Sequence, residues 1–145
     1  MCTEYNDVPV CLHCKHTQRD EDQKKLLQNR LRRIEGQVRG LQSMLEQDAC
    51  CKEEKKTMRT DAQKKALLNR LKRIEGQIRG LQSMIEYDAY CNDILIQSAA
   101  VSAALSAFNR ELLENHIRHC VARDIREGKD EVIDELMGTL KKLMK

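Results

Sequence analysis

RTDAQKKALLNRLKRIEGQIRGLQSMIEYDAYC, residues 59–91, sets Leu67, Leu71, Ile74, Ile78, Leu81 and Ile85 at alternating steps of four and three. Those steps hold apolar side chains in one line along a helix, the seam by which it packs against other helices. The stretch is also a repeat. At an offset of 40, residues 19–51 align with residues 59–91 and 23 of the 33 positions are identical, so Leu27, Leu31, Ile34, Val38, Leu41 and Leu45 form a second seam. The first copy stops after Cys51, followed by the charged connector CKEEKKTMRT. This divides the chain into residues 1–57 (tail, truncated first copy and linker) and residues 58–145, a complete unit starting at Met58. Two copies, one of them incomplete, do not build a solenoid.

Beyond Cys91 nothing is repeated. The segment from Cys91 to Arg126 is Ala-rich and apolar on most sides, through Ile94, Leu95, Val101, Leu105, Phe108, Leu112 and Ile117, which predicts a long, largely buried helix. Glu127-Gly128-Lys129 ends it, and Asp130 is placed to cap a third helix carrying Val132, Ile133, Leu136, Leu140 and Leu143. With one proline, six glycines and no Trp, the turn chemistry of a many-stranded sheet is missing. The fold class is therefore all-α, with a three-helix protomer. A unit of about 88 residues cannot hide the long helix by itself, which predicts self-association into an antiparallel four-helix-bundle dimer.

The 145 residues rule out a large enzyme with a deep cleft, and no nucleophile–base pair or Gly-rich phosphate loop is present. Seven cysteines, an odd number, without an apolar leader favour reduced thiols or metal ligands and a soluble, cytoplasmic protein. The most apolar stretch, Ile94 to Phe108, is interrupted by Gln97, Ser98, Ser102 and Ser106 and is too short for a bilayer, so no membrane partner is expected.

His116 and Cys120 stand at i and i+4 on the long helix, where both side chains share one face. Alone, the pair is as well read as a half-buried His beside a small apolar Cys. Cys91 alters the balance. It lies 25 residues before His116, about 37 Å along a straight helix, so one chain cannot close a site over all three. Two antiparallel long helices bring Cys91 of one chain to His116 and Cys120 of the other, twice by symmetry. Two thiolates and an imidazole are a soft three-coordinate set that suits Cu(I) better than Zn(II). The net charge is only +3, but basic residues concentrate before Cys91. Lys65, Lys72 and Arg79 recur every seven residues, with Arg70, Arg73 and Gln77 beside them, stripes suited to phosphate contact. For charged helices in general a solvated face is the commoner reading.

RLKRIEGQIRGLQSMIE (residues 70–86), YDAYCNDIL (residues 87–95) and the later His116-x-x-x-Cys120 together resemble the CsoR family of bacterial metal-responsive repressors, over residues 60–145 nearly end to end. RLRRIEGQVRGLQSMLE at residues 30–46 repeats the opening motif. The resemblance implies a tetramer of disc-like shape, built from dimers, that holds operator DNA in the apo form and releases it on binding metal. It also implies a Cys, His, Cys copper code on Cys91, His116 and Cys120, supported by Tyr90 and, allowing one deletion, Glu135. It turns the basic residues into a DNA face: Lys65, Arg70, Lys72, Arg73, Gln77 and Arg79. Where relatives carry a basic residue mid-helix, this chain has Ser106, Ala107 and Phe108, with Arg110 nearest.

Two rivals keep the same ligands. A copper carrier or storage protein needs no basic stripes, and a persulfide- or oxidant-sensing repressor would bridge Cys91 and Cys120 without needing His116. Cys11, His13, Cys14 and His16 have soft-metal spacing but no second matching pair, and Cys51 stands where Cys91 stands in the repeat.

Overall fold

A computed structural model describes residues 19–47 and 59–145, together with the backbone of residues 3–5 and 8–10. Cys11, His13, Cys14, His16 and Cys51 lie outside the described residues, as does Met58. The chain is helical, as its seams require. The elements are α1 (Glu21–Glu46), α2 (Asp61–Glu86), α3 (Cys91–Asn115), a π-helical turn (His116–Val121), α4 (Ala122–Arg126) and α5 (Glu131–Leu143). One short antiparallel hairpin precedes them, β1 (Thr3–Tyr5) paired with β2 (Val8–Val10), which the seam pattern does not foreshadow.

Local chemistry sets the helix ends. The Asp20 carboxylate accepts from the Gln23 N–H at 2.7 Å to start α1. Thr60 and Gln63 start α2 with a reciprocal capping box. After α2 the chain reverses through Asp88 in a left-handed conformation (φ 53°), with the Asp88 N–H bonded to Ile85 and the Ala89 N–H to Met84. The same pair of bonds recurs at Gly128 (φ 78°), where Lys129 bonds back to Asp124. This is the glycine-type helix stop expected at residues 127–129. Asp130 does occupy the N-cap of α5, but its side chain makes no capping bond.

α2 is the central helix, with α1 on one side and α3 on the other. All six of its seam residues are buried. Of the matching seam on α1 only Val38 and Leu45 are, because α1 has no α3 of its own. α3 is left partly bare, as expected of a long apolar helix that one unit is too small to hide. Within one chain it buries Val101 and Phe108 against α2, while Leu95 and Ile96 stay exposed. One chain supplies a wall for a single face of that helix, and α5 buries none of its residues. Counted through the π-turn, the run Cys91–Arg126 also reaches the length and apolarity of a bilayer-crossing helix, which the shorter stretch Ile94–Phe108 does not.

Candidate metal centre and DNA face

The three candidate ligands occupy the two ends of one helical run. Cys91 is the first residue of α3 and is exposed. His116 and Cys120 both fall on the π-turn, the first half-buried and the second buried. A π-turn inside an α-helix is rare and concentrates at functional sites, since widening the helix by one residue re-aims the side chains on it. Sequence periodicity does not reveal it, because the spacing of His116 and Cys120 reads equally well as ordinary α-helix. Among the described residues no three His, Cys, Asp or Glu side chains converge, in keeping with a helix of 25 residues between Cys91 and His116.

Tyr90 forms the N-cap of α3, its carbonyl accepting from Asp93 and Ile94, and it is 46% exposed. Glu135 is exposed on α5, which touches the π-turn. The neighbours of Cys91 were not foreseen from the sequence. Arg19, just before α1, donates to Cys91 Sγ at 3.1 Å and to the Ala89 carbonyl. Lys24 binds Asp88 at 2.7 Å, raising the lysine and lowering the aspartate from their ordinary pKa values, chiefly through this bond. The signal was present, since Arg19 and Lys24 are the repeat partners of Arg59 and Lys64.

The basic residues divide. Arg70 pairs with Glu111 of α3 at 3.1 Å. Arg79 is drawn into the contact between α1 and α2, where it bonds Glu35 and Glu75. Gln77 is half-buried, its Oε1 without a partner among the described residues. Lys65, Lys72 and Arg73 point to solvent, and one to two turns beyond Lys72 and Arg73 stand Gly76 and Gly80, whose missing Cβ positions face open space. A surface that is both positive and low in side-chain bulk lets a phosphate backbone approach closely.

Glu35 and Glu75 have lowered pKa values. The largest cause is the Gln82 hydrogen bond for Glu35 and the Gln42 hydrogen bond for Glu75, followed by Arg79 and Arg39 respectively. A carboxylate whose folded pKa lies below its unfolded value of about 4.3 stabilises the fold above that pH and loses the effect as pH falls through the folded value. Thermal melts of the full chain are expected to hold steady from pH 7 to 5 and to drop below about pH 4.3. Glu35→Gln combined with Glu75→Gln should flatten that drop, and an unchanged profile would detach the acid transition from this pair.

The family described as metal-sensitive transcriptional repressor matches this sequence twice, at residues 23–56 and at residues 63–142. The chain belongs to that family. Metal-sensitive repressors are regulators rather than enzymes, and each matched stretch includes one of the two copies of the repeated seam. The chain is 48% identical over 143 residues to the copper-sensing transcriptional repressor CsoR of Bacillus subtilis (strain 168), covering 98% of this chain and 97% of that protein. It is 48% identical over 106 residues to the copper-sensing transcriptional repressor RicR of Mycobacterium tuberculosis (strain ATCC 25618 / H37Rv), covering 73% and 69%. The crystal structure of the copper-sensing repressor CsoR with Cu(I) from Geobacillus thermodenitrificans NG80-2 superposes with a TM-score of 0.58 at 49% identity, covering 60% of this chain and 92% of that one.

Proposed function

We propose that this metal-sensitive repressor is cytoplasmic and responds to copper(I), binding operator DNA as apoprotein and releasing it when Cu(I) is held by Cys91 of one chain with His116 and Cys120 of a second. The carrying observation is the placement of His116 and Cys120 together on the π-turn, a full helix away from Cys91. The donor set fits the ion. Two thiolates and one imidazole are soft, and three donors leave no fourth for zinc. Bound Cu(I) would tie the start of one α3 to the end of another. The chain's own residues then do the coupling: Cys120 is buried, so engaging it biases the helix at the π-turn, and α5 packs on that turn. Tyr90 beside Cys91 and Glu135 on α5 are proposed to orient the ligands. Residues 58–145 are proposed as the complete sensor, working as a homodimer or homotetramer, with residues 1–57 as an addition.

The test is fluorescence anisotropy of a labelled promoter fragment during addition of Cu(I), Zn(II), Ni(II) or a persulfide donor. Release by Cu(I) alone supports the reading. Release by the persulfide donor alone would make the chain a thiol sensor, and no DNA binding at all would make it a carrier.

On the DNA face, Lys65, Lys72 and Arg73 are proposed to carry most phosphate contact, with Gln77 beside them and with Arg70 and Arg79 contributing once their ion pairs to Glu111, Glu35 and Glu75 open. Removing one basic side chain from a phosphate should reduce the slope of log K against log salt by about 0.9. Lys72→Ala with Arg73→Ala is therefore expected to weaken binding across all sequences and flatten the slope by roughly 2. An unchanged slope in a folded double variant makes this a solvated face.

A further inference from the structure

The contact between α1 and α2 repeats itself when the two helices are exchanged. Arg39 Nε donates to Glu75 Oε1 at 2.9 Å, and Arg79 Nε donates to Glu35 Oε1 at 3.0 Å. Gln42 Nε2 donates to Glu75 Oε2 at 2.9 Å, and Gln82 Nε2 donates to Glu35 Oε2 at 3.0 Å. Within each helix, Arg39 returns to Glu35 at 2.7 Å and Arg79 to Glu75 at 2.6 Å. Every bond maps onto its counterpart, atom for atom, on adding or subtracting 40. The helices run antiparallel, and the exchange is a local two-fold axis between two nearly identical sequences.

A two-fold contact is self-complementary, the kind by which one surface pairs with a second copy of itself. All that α1 presents to α2, a second α2 presents too: Glu75 for Glu35, Arg79 for Arg39, Gln82 for Gln42, and Ile78 and Ile85 for the buried Val38 and Leu45. We propose that the α2 face covered by α1 is the surface on which a second copy of this chain docks its own α2, and that α1 is an intramolecular stand-in that competes with that copy. The segment between them, residues 47–60, tethers α1 at an effective concentration on the order of millimolar. A free chain at lower concentration therefore meets an occupied surface. The same docking sets Arg19 against Cys91, so the stand-in occupies both the pairing face and the thiol next to it. The inference extends the homodimer reading and does not depend on which metal binds.

Charge reversal separates the two contacts. Glu35→Arg with Arg39→Glu sets arginine against Arg79 and glutamate against Glu75, breaking the internal contact while leaving α2 untouched. Glu75→Arg with Arg79→Glu breaks the internal contact as well, yet two such α2 helices still match, because arginine at 75 meets glutamate at 79 of the other copy. All four changes together restore the internal contact. Sedimentation equilibrium of the full chain, with helicity followed by circular dichroism, is expected to show both double variants dimerising at a protein concentration at least about tenfold lower than wild type, with the fourfold variant returning to the wild-type midpoint. Folded double variants that all remain monomeric would show that α2 does not self-associate. If wild type and all variants dimerise with one midpoint, the homodimer uses another surface and the competition is refuted. Loss of helicity in both double variants would make α1 part of the fold rather than a replaceable occupant, which also overturns the proposal.

Discussion

Cys91→Ala, His116→Ala and Cys120→Ala are each expected to abolish high-affinity Cu(I) binding and metal-triggered release, while apo DNA binding persists. Cys91 is exposed, so truncating it removes a ligand without leaving a cavity. Cys120 is buried, but exchanging Cys for Ala alters the core by little more than one sulfur. A three-donor site reduced to two should lose several orders of magnitude in affinity. The decisive version mixes chains. A pair of Cys91→Ala and His116→Ala protomers carries one site with all three ligands and one lacking two, so each mixed dimer should recover half the Cu(I) that a wild-type dimer binds. Neither variant alone should bind. If the mixture also fails to bind, the ligands do not meet across two chains, and the 25-residue helix between Cys91 and His116 must bend or break to close a site within one.

Much of this was legible in the residues. The seam at Leu67 to Ile85 and the stop at Gly128 dictate their elements through local periodicity and backbone preference, and both are where they were expected. The separation of the candidate ligands was legible as a spacing argument, because the rise of a helix alone sets Cys91 far from His116. Three features were not. The π-turn under His116 and Cys120 leaves the hydrophobic pattern intact, so periodicity cannot report it. Arg79 belonged by spacing to a basic stripe, yet Glu35, 44 positions earlier, claims it, a tertiary choice that the helix's own sequence does not contain. That some of the long helix stays bare in one chain was foreseen, but not that Leu95 and Ile96 are the residues left exposed, since that depends on where the walls around α3 stand rather than on its composition.

The two copies of the seam make that last point measurable. Ile34 and Ile74 occupy the same position in nearly identical helices, and sequence alone assigns them the same role. In the fold Ile74 is 2% exposed, held between α1 and α3, whereas Ile34 is 38% exposed, because among the described residues α1 is covered on the α2 side only. Ile74→Ala removes a fully enclosed branched side chain and leaves a cavity, which is expected to cost about 2–5 kcal/mol. Ile34→Ala opens no enclosed space and should cost about 1 kcal/mol, the ordinary effect of a partly exposed truncation. Urea unfolding of the two variants at a protein concentration where wild type is monomeric makes the comparison, with similar slopes required so that the midpoints report stability. A loss of similar size at both positions would mean that α1 is enclosed as fully as α2, with a further helix on its outer face. A negligible effect at Ile74 would remove α2 from the centre of the fold. The physical reason for the difference is that α1 lacks what Cys91 begins: a seam is only as buried as the number of helices laid against it, and the first copy ends before it can supply its second wall.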